Sequence, residues 1–405
     1  MLGDRIRKLR KERKLTLEVL AGSELTKGMV SLIENNKAKP SMESLSYIAK
    51  RLGVEVGDLL GEVSVQELRS VLEEAERLFN SESEILNKNY GQLVSLIEPY
   101  VDNLTKGYEA ARLLEIYSIS LYREKIDGWK KSTDLAAQLY DRMNLTSNRA
   151  SIGIFRSMSK FASHDYAQSL QIFQKERRDL ETNHAYIDPM TRLNLDYHEA
   201  ILYFAVGDSK SATRVMEDAF SFSKENRIFY RIDDLYRLAA AHAMMILDEE
   251  KIDLYKKKLK QYSEFADDNE SFMFHELMTI MSHISLQKYD QALEIIDSYM
   301  SDAEVATYSP WLTLEKGKVL YYLGRNEEAL QFLEKVEIPF YIHHPFDLSF
   351  FYITESYKAL CYFELGDQKE AIFTAIKAVD QYEPLPPSIF KNFSKQTYEK
   401  IKGGL

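Results

Sequence analysis

A short pattern recurs through much of this 405-residue chain. A helical segment ends at a Gly or a polar residue, and a small residue follows five positions later. The turn markers are separated by 43, 41, 39, 37 and 42 residues, and a repeat of this length indicates stacked helix pairs. The copies are Gly207 with Ala212, Gly324 with Ala329, Gly366 with Ala371, His164 with Ser169 and Gln287 with Ala292, and a degenerate turn falls near Asp248.

The Gly and the small residue have separate physical roles in each copy. Gly adopts the left-handed conformation that ends the first helix, and a small side chain lets the second helix pack closely against the first. One pair cannot bury its own apolar faces, so neighbouring pairs must stack into a right-handed superhelix with a concave groove. The segments LGRNEEAL and LGDQKEAI resemble tetratricopeptide repeats. The period near 40, instead of about 34, predicts longer helices than that family has.

The first sixty residues have the signals of five short helices. Leu2, Ile6 and Leu9 recur at helical spacing, which predicts a first helix from Leu2 to Lys14. Two short helices then meet at a turn, the geometry that lays the second of them in a DNA major groove. The predicted N-caps are Thr16, Thr26 and Ser41, the third helix runs to about Asn35, Gly53 closes the fourth, and a fifth holds Val56, Leu59 and Leu60.

Positive charge is concentrated in the same segment. Residues 1–60 contain 12 Lys and Arg against 8 Asp and Glu, a net charge of +4. The whole chain carries −11, so the remaining residues carry −15. A basic segment on an acidic protein favours phosphate contact at that segment. The alternative is a solvated helix face, because most runs of Lys and Arg are simply exposed.

The segment resembles the lambda-repressor-like (Xre-type) helix-turn-helix family in IRKLRKERKLTLEVLA, LTKGMVSLIENNKAKPS and LSYIAKRLGV. The resemblance implies binding to double-stranded DNA and a buried ion pair between Arg10 and Glu34. Leu17 stands where the family usually has Gln, so one phosphate contact is not expected. With few side chains able to read bases, specificity is expected to depend partly on DNA shape. The implied DNA-binding residues are Thr26 at the cap, Lys27, Gly28, Ser31 and Leu32 toward the bases, and Asn35 and Lys37 toward the phosphates.

The cysteine content, the apolar runs and the histidine spacing exclude several classes of protein. Cys361 is the only cysteine, which excludes an intramolecular disulfide framework and fits a reducing cytosol. No apolar run approaches the roughly 20 residues that span a bilayer, so we expect a soluble, cytoplasmic protein with no membrane partner. His198 and His275 lack the second His of a zinc helix, and the adjacent His residues at 343–344 are more typical of a turn. We therefore predict no catalytic residue, no metal and no cofactor.

The concave groove is the predicted ligand site of the repeats. In tetratricopeptide repeats the first helix of each pair lines this surface, and aromatic side chains with an Asn suit an extended peptide. Arg237 or Lys318 could bind a peptide carboxylate. The alternative is that these side chains only pack one repeat on the next. The inward positions are Asn194, Tyr197, Ile201, Leu235, Leu238, His242, Phe274, Leu277, Met281, Trp311, Leu314 and Lys318, and the candidate peptide-binding residues are Asn194, Tyr197, Arg237, His242, Trp311 and Lys318.

The chain is predicted to have four segments, with one or two further helix pairs before Ser151 whose register is not fixed. Pro384 to Pro387 should end the last repeat helix. The segments are a helix-turn-helix domain over 1–62, a linker helix capped by Ser64 over 63–80 with a break at 80–83, a repeat domain over 81–387 and a capping helix over 388–405.

This layout resembles the peptide-sensing quorum-sensing regulators of Gram-positive bacteria, which include the Rgg, Rap, NprR, PlcR and PrgX types. The resemblance implies a cytosolic transcription factor that works as a homodimer or higher homo-oligomer. A short, re-imported signalling peptide in the groove would switch it. Some members of the group bind response-regulator proteins in sporulation control, so capture of such a partner by the repeat domain is the alternative function.

Overall fold

The computed structural model describes residues 2–60, 63–81, 89–301 and 307–404. The regular elements within these ranges are helical, and the ranges contain no strand. The chain divides into two compact units, residues 1–152 and residues 153–405. The predicted all-α fold class is therefore confirmed. None of the described helices is long and apolar enough to cross a membrane.

The first five helices enclose a core of their own. Ile6, Leu20, Val30, Ile48 and Leu59 are completely buried in it. All members of this apolar cluster belong to the N-terminal segment, so the core of these five helices is formed by their own side chains. They are α1 (Leu2–Glu12), α2 (Leu17–Ala21), α3 (Lys27–Glu34), α4 (Met42–Leu52) and α5 (Val56–Leu60).

The predicted caps set the ends of these helices. The side-chain oxygens of Thr16, Thr26 and Ser41 each accept a hydrogen bond from the backbone N–H three residues on, at 3.1 to 3.2 Å. Gly53 is left-handed, with φ 62°, and closes α4 as predicted. α1 ends before the predicted Lys14, because Lys14 itself adopts a left-handed conformation with φ 55°.

The described residues between 63 and 152 form a second helical core within the first unit. Ser64 caps its first helix as predicted, accepting from the backbone N–H three residues on at 3.1 Å. That helix is more than a linker, because Leu68, Leu72 and Ala75 are buried in one apolar cluster with Leu114. The elements are α6 (Val65–Phe79), α7 (Tyr90–Ile97), a 3-10 helix (Glu98–Asn103), α8 (Tyr108–Arg123) and α9 (Trp129–Arg142).

The division between the two units falls inside the segment predicted as one repeat domain over 81–387. The physical reason is the apolar cluster of α6 to α9, which extends to Ile152 and holds those helices together. The α8–α9 pair is one of the pairs expected before residue 151. Its left-handed turn at Lys125 (φ 57°) is followed five positions later by Lys130, which explains why the small-residue spacing did not reveal it. The predicted break at 80–83 includes Glu82 and Ser83, which lie outside the described residues.

Most helices of the second unit contact their neighbours in chain order. Ser388 caps the last helix, and Pro384 to Pro387 separate it from the preceding one, as predicted. The boundary between the two units falls within α10 (Thr146–Phe161). The helices that follow it are α11 (Tyr166–Asn183), α12 (Pro189–Ala205), α13 (Ser209–Asn226), α14 (Ile232–Ile246), α15 (Glu249–Ala266), α16 (Asn269–Ser285), α17 (Tyr289–Met300), α18 (Ser309–Tyr322), α19 (Asn326–Leu333), α20 (Pro345–Glu364), α21 (Gln368–Tyr382) and α22 (Ile389–Gly403).

The repeat pattern corresponds to a shared turn geometry. The degenerate turn predicted near Asp248 lies one residue earlier, at Leu247 (φ 56°). Asp248 is instead the N-cap of α15, and its side chain accepts from the Lys251 N–H at 3.1 Å. The small residues five positions after the other markers are all completely buried, so both predicted roles are confirmed. The left-handed markers are His164 (φ 62°), Gly207 (φ 82°), Gln287 (φ 58°), Gly324 (φ 75°) and Gly366 (φ 85°).

The turn at Gly324 allows the conformational requirement to be tested without steric interference. A Cβ added at Gly324 would meet no atom within 4 Å, so Gly324→Ala adds only the cost of a left-handed Ala, about 1–2 kcal/mol. We expect that loss in the free energy of unfolding, measured by urea denaturation. Gly403→Ala is the matched control, because Gly403 is helical, is equally open and should gain slightly. Equal stabilities of the two variants would contradict the assigned role of the turn.

Candidate functional site

The outer face of α3 carries the residues predicted to contact DNA. Val30, Ile33 and Glu34 are buried, whereas Leu32 is 46% exposed and a Cβ added at Gly28 would meet only Thr26 Oγ1, at 3.9 Å. Met29, which is also 46% exposed, was not among the predicted DNA-binding residues, because a Met in an amphipathic helix is more often part of the core. The predicted residues on the exposed or half-buried surface are Thr26, Lys27, Gly28, Ser31, Leu32, Asn35 and Lys37.

A buried ion pair holds α3 against α1, as the sequence predicted. Arg10 donates from Nε and Nη2 to the two carboxylate oxygens of Glu34, at 2.6 and 2.9 Å. Glu34 is only 2% exposed, and its hydrogen bonds raise the pKa of Arg10 above the ordinary value. Arg10 also donates to the Leu15 carbonyl at 2.9 Å. The pair therefore fixes the end of α3 and the turn after α1 together.

A second contact at the end of α3 was not apparent from the sequence. Gly3 packs so closely that an added Cβ would lie 2.2 Å from the Ile33 carbonyl oxygen. The Gly3 N–H also donates to Asn36 Oδ1 at 2.9 Å. Asn36 is left-handed, with φ 56°, and terminates the helix. The start of α1 and the end of α3 are thus in backbone contact.

Two of the predicted DNA-binding side chains already have partners within the domain. Lys27 Nζ lies 2.6 Å from a carboxylate oxygen of Glu18, and both side chains are more than half exposed. Asn35 accepts from Arg7 at 2.5 Å and donates to the Ser31 carbonyl at 2.7 Å. The Lys27 pair is solvent-exposed and weak, so this amine remains available to another anion.

The second unit contains a cavity of about 530 Å³. Its walls come from α10, α12, α14, α16 and α18, together with the first turns of α20 and the segment that leads into it. Most of the predicted inward positions reach this cavity, so the assignment of the first helices to one surface agrees with the geometry. Those that line it are Tyr197, Ile201, Leu238, Phe274, Leu277, Met281, Trp311 and Leu314, and Arg237 lines it as well.

Three candidate peptide-binding residues do not line this cavity. Asn194 Oδ1 accepts from Arg231 Nε at 3.1 Å. His242 packs with its ring centre 4.6 Å from that of Phe204, and burial lowers its pKa. Lys318 is 7% exposed and donates to both oxygens of Glu315 at 2.8 Å. Lys318 instead lines a second cavity of about 410 Å³.

The segment before α20 closes one side of the cavity, which no sequence pattern indicated. His344 caps α20, since its Nδ1 accepts from the Phe346 N–H at 3.1 Å and its Nε2 contacts the Ile201 carbonyl at 3.2 Å. Burial lowers the pKa of His344 to about 4, so the ring is neutral and Nε2 is the donor. Tyr166 donates to the His343 carbonyl at 2.7 Å. The two His residues, expected to mark a turn, therefore fasten this segment to α12 and α11.

The charged groups around the cavity are mainly acidic. Arg237 contacts Asp233 at 3.0 Å, Asp234 at 2.7 Å and Glu270 at 3.6 Å, so its charge is already compensated. The carboxylates that line the cavity within the described residues are Asp234, Glu270, Glu315 and Asp347, against the single cation of Arg237.

Asp347 differs from the other carboxylates of the wall. Within the described part of the chain it has no hydrogen bond or ion pair to its carboxylate, whereas Asp234, Glu270 and Glu315 each contact a cation. Desolvation raises the pKa of Asp347 to about 6. Burial raises the pKa of the nearby Tyr197; the charge of Asp234 raises it further, and that of Arg231 lowers it. The net effect is a raised pKa, so Tyr197 stays a neutral phenol.

The N-terminal segment matches a known family. The match to the helix-turn-helix family covers residues 6–59. These residues form a helix-turn-helix domain. An immunity repressor protein of Bacillus phage phi105 is 33% identical over 84 residues, which are 20% of this chain and 54% of the repressor. The chain thus spans about half the length of this curated relative.

Three solved structures are similar to about two thirds of this chain. PlcR of Bacillus thuringiensis, in complex with the peptide PapR7 and DNA, is 18% identical, with 68% of this chain and 98% of that chain covered and a TM-score of 0.35. ComR from S. thermophilus, with DNA and its signalling peptide ComS, is 18% identical, with 69% and 97% covered and a TM-score of 0.32. The SHP pheromone receptor Rgg2 of Streptococcus dysgalactiae is 14% identical, with 69% and 99% covered and a TM-score of 0.30. PlcR and Rgg are two of the types that the sequence resembles.

The ion pair in the helix-turn-helix domain predicts a large difference between two similar substitutions. Glu34→Gln leaves Arg10 without its charged partner in a mostly buried position, so we expect the domain to lose about 2–4 kcal/mol. Native-state hydrogen exchange of the α1 and α3 amides in the full-length protein measures this loss. Glu18→Gln removes a solvent-exposed pair and should change protection little. If both variants exchange like the wild type, the ion pair does not hold α3.

Proposed function

We propose that this protein is a transcriptional regulator that binds DNA through α3 and responds to a short peptide bound in the cavity of its second unit. The observation that carries the proposal is the cavity of about 530 Å³, built from the first helices of successive repeats in a chain that also has a helix-turn-helix domain. A volume in this range is typical of sites that enclose a small ligand or several peptide side chains.

The DNA half of the proposal rests on the outer face of α3. Lys27 and Ser31 are the polar groups able to reach base edges, and Leu32 and Met29 offer apolar contact to thymine methyl groups. Lys37, beyond the end of the helix, is available to phosphates, whereas Asn35 would have to exchange its contacts with Arg7 and the Ser31 carbonyl. Because so few side chains can read bases, the shape of the DNA would contribute to specificity.

The peptide half of the proposal rests on the wall of the cavity. Tyr197, Trp311, Phe274 and Met281 supply a mostly apolar surface, and Tyr197 and Trp311 also carry a hydroxyl and an indole N–H. Such a surface binds peptide side chains, and the polar groups orient the peptide backbone. Asn194, His242 and Lys318 would act on the peptide only indirectly, through the groups they contact.

The switch that we propose acts through a homo-oligomer. Two helix-turn-helix domains in a dimer would contact half-sites about one helical turn apart. A peptide that favours one arrangement of the repeats would change the spacing of these domains and thereby the affinity for DNA. By reciprocity, DNA would change the affinity for the peptide by the same factor.

Lys27→Ala tests the DNA interface. We expect weaker binding to duplexes that this protein selects from a randomised pool, and a salt dependence of log K reduced by about one charge if Lys27 contacts a phosphate. Gel-shift titrations at several salt concentrations give both quantities. Glu18→Gln is the control in the opposite direction, since it frees Lys27 and should strengthen binding. An unchanged affinity and salt slope in Lys27→Ala would contradict a role for the outer face of α3.

A cavity-filling substitution tests the peptide site. Leu238→Trp would occupy the cavity without leaving a hole, so we expect loss of peptide binding in calorimetric titrations with a set of short peptides. Trp311→Ala should also weaken binding, and Phe373→Ala is the control, because Phe373 is 66% exposed and lies outside the cavity. Circular dichroism checks that each variant is folded. A peptide that binds but alters neither operator affinity nor oligomeric state would rule out the switch.

A further inference from the structure

The charges around the cavity do not suit the carboxylate of a ligand. Among the described residues of the wall, Arg237 is the one cation, and it is enclosed by Asp233, Asp234 and Glu270. Arg231, next to it, contacts Asp234 at 2.7 Å and is also compensated. An incoming anion would have to displace these internal carboxylates or sit beside them. Among the described residues, the wall therefore carries more carboxylates than cations.

Asp347 is the carboxylate of this wall that has no cation. It lies in the first turn of α20, whose start is fixed by the His344 cap and by Pro345. Glu315 is neutralised by Lys318 at 2.8 Å, and Glu270 is 72% exposed to solvent and close to Arg237. Asp347 has neither an internal partner within the described residues nor full hydration. A charge in this position is costly unless something pairs with it.

The aromatic wall favours the same kind of ligand group. Tyr197, Tyr308 and Trp311 line the cavity together with Asp347. Aromatic faces attract ammonium and guanidinium groups, and the attraction is stronger where water is excluded. A cationic group on an otherwise apolar ligand would thus satisfy the carboxylate and pack against the rings.

We propose that the cavity selects peptides that carry a cationic group, a Lys or Arg side chain or a free α-amino group, placed on Asp347, with apolar side chains packed along the aromatic wall. This inference rests on the proposed function, because it concerns the same cavity. It reverses the charge of the ligand group expected from Arg237 and Lys318 in the sequence.

Matched peptides test the preference on the full-length protein. The probes are hexapeptides of Leu, Ser and Phe, N-acetylated and C-amidated, with Lys, norleucine or Glu at each position in turn. A fourth set contains the norleucine peptides with a free N-terminus, which separates an α-amino group from a side chain. Calorimetry should give the best Lys or free-amine peptide an affinity about tenfold or more above its norleucine counterpart, and Glu the weakest binding.

Asp347→Asn assigns that preference to one carboxylate. The advantage of the cationic peptide over norleucine should fall to about threefold or less, with the norleucine affinity nearly unchanged. Asp347→Ser serves as a second variant should the amide perturb the start of α20. Asp290→Asn is the matched control, because Asp290 is also an Asp in the first turn of a repeat helix but is exposed and does not line the cavity.

The outcomes separate this inference from the proposed function. If norleucine or Glu peptides bind as tightly as cationic ones and Leu238→Trp abolishes that binding, the charge preference is wrong and the peptide site stands. If the cationic advantage survives in Asp347→Asn and Asp347→Ser, Asp347 is not the group that confers it and the inference fails. If no peptide in any set binds, both the inference and the peptide-binding function are contradicted.

Discussion

The close approach of paired helices after a left-handed turn is the contact on which the second unit depends. Ala212, Ala292, Ala329 and Ala371 are completely buried where the second helix of each pair meets the first. At Gly317 the approach is closer still, since an added Cβ would lie 2.5 Å from a methyl carbon of Leu333. Tightly paired helices cannot bury their outer faces alone, so they stack, and the stack provides the walls of the cavity.

Local features of the chain were predictable because their causes are local. The caps at Thr16, Thr26 and Ser41, and the left-handed turns, follow from backbone hydrogen bonds and from φ within a few residues. The Arg10–Glu34 pair spans 24 residues and came from the family resemblance, not from periodicity. The first helices were assigned to the concave surface by the resemblance to tetratricopeptide repeats, and helical spacing then selected their inward positions.

The closing segment and the charges of the cavity could not be predicted in this way. The contact of His344 with the Ile201 carbonyl joins residues 143 positions apart, and no periodicity reports such a pairing. Asn194, Arg237 and Lys318 had the right chemistry for a peptide, yet each has a partner inside the protein. Sequence reveals which groups are polar, whereas only the packing decides which of them remain unpaired. Asp347 was missed for that reason.

The rigidity of α3 limits how a ligand could control DNA binding. Its start is capped by Thr26, and its end is held by Glu34 on Arg10 and by the backbone contact with Gly3. Shifting a two-state equilibrium from 1:99 to 99:1 takes about 5.5 kcal/mol of differential binding. If peptide binding had to unfold α3, most of this free energy would be needed to break the buried Arg10–Glu34 ion pair. Control therefore requires less binding free energy if α3 stays folded and the ligand changes how two intact helix-turn-helix domains are presented to DNA.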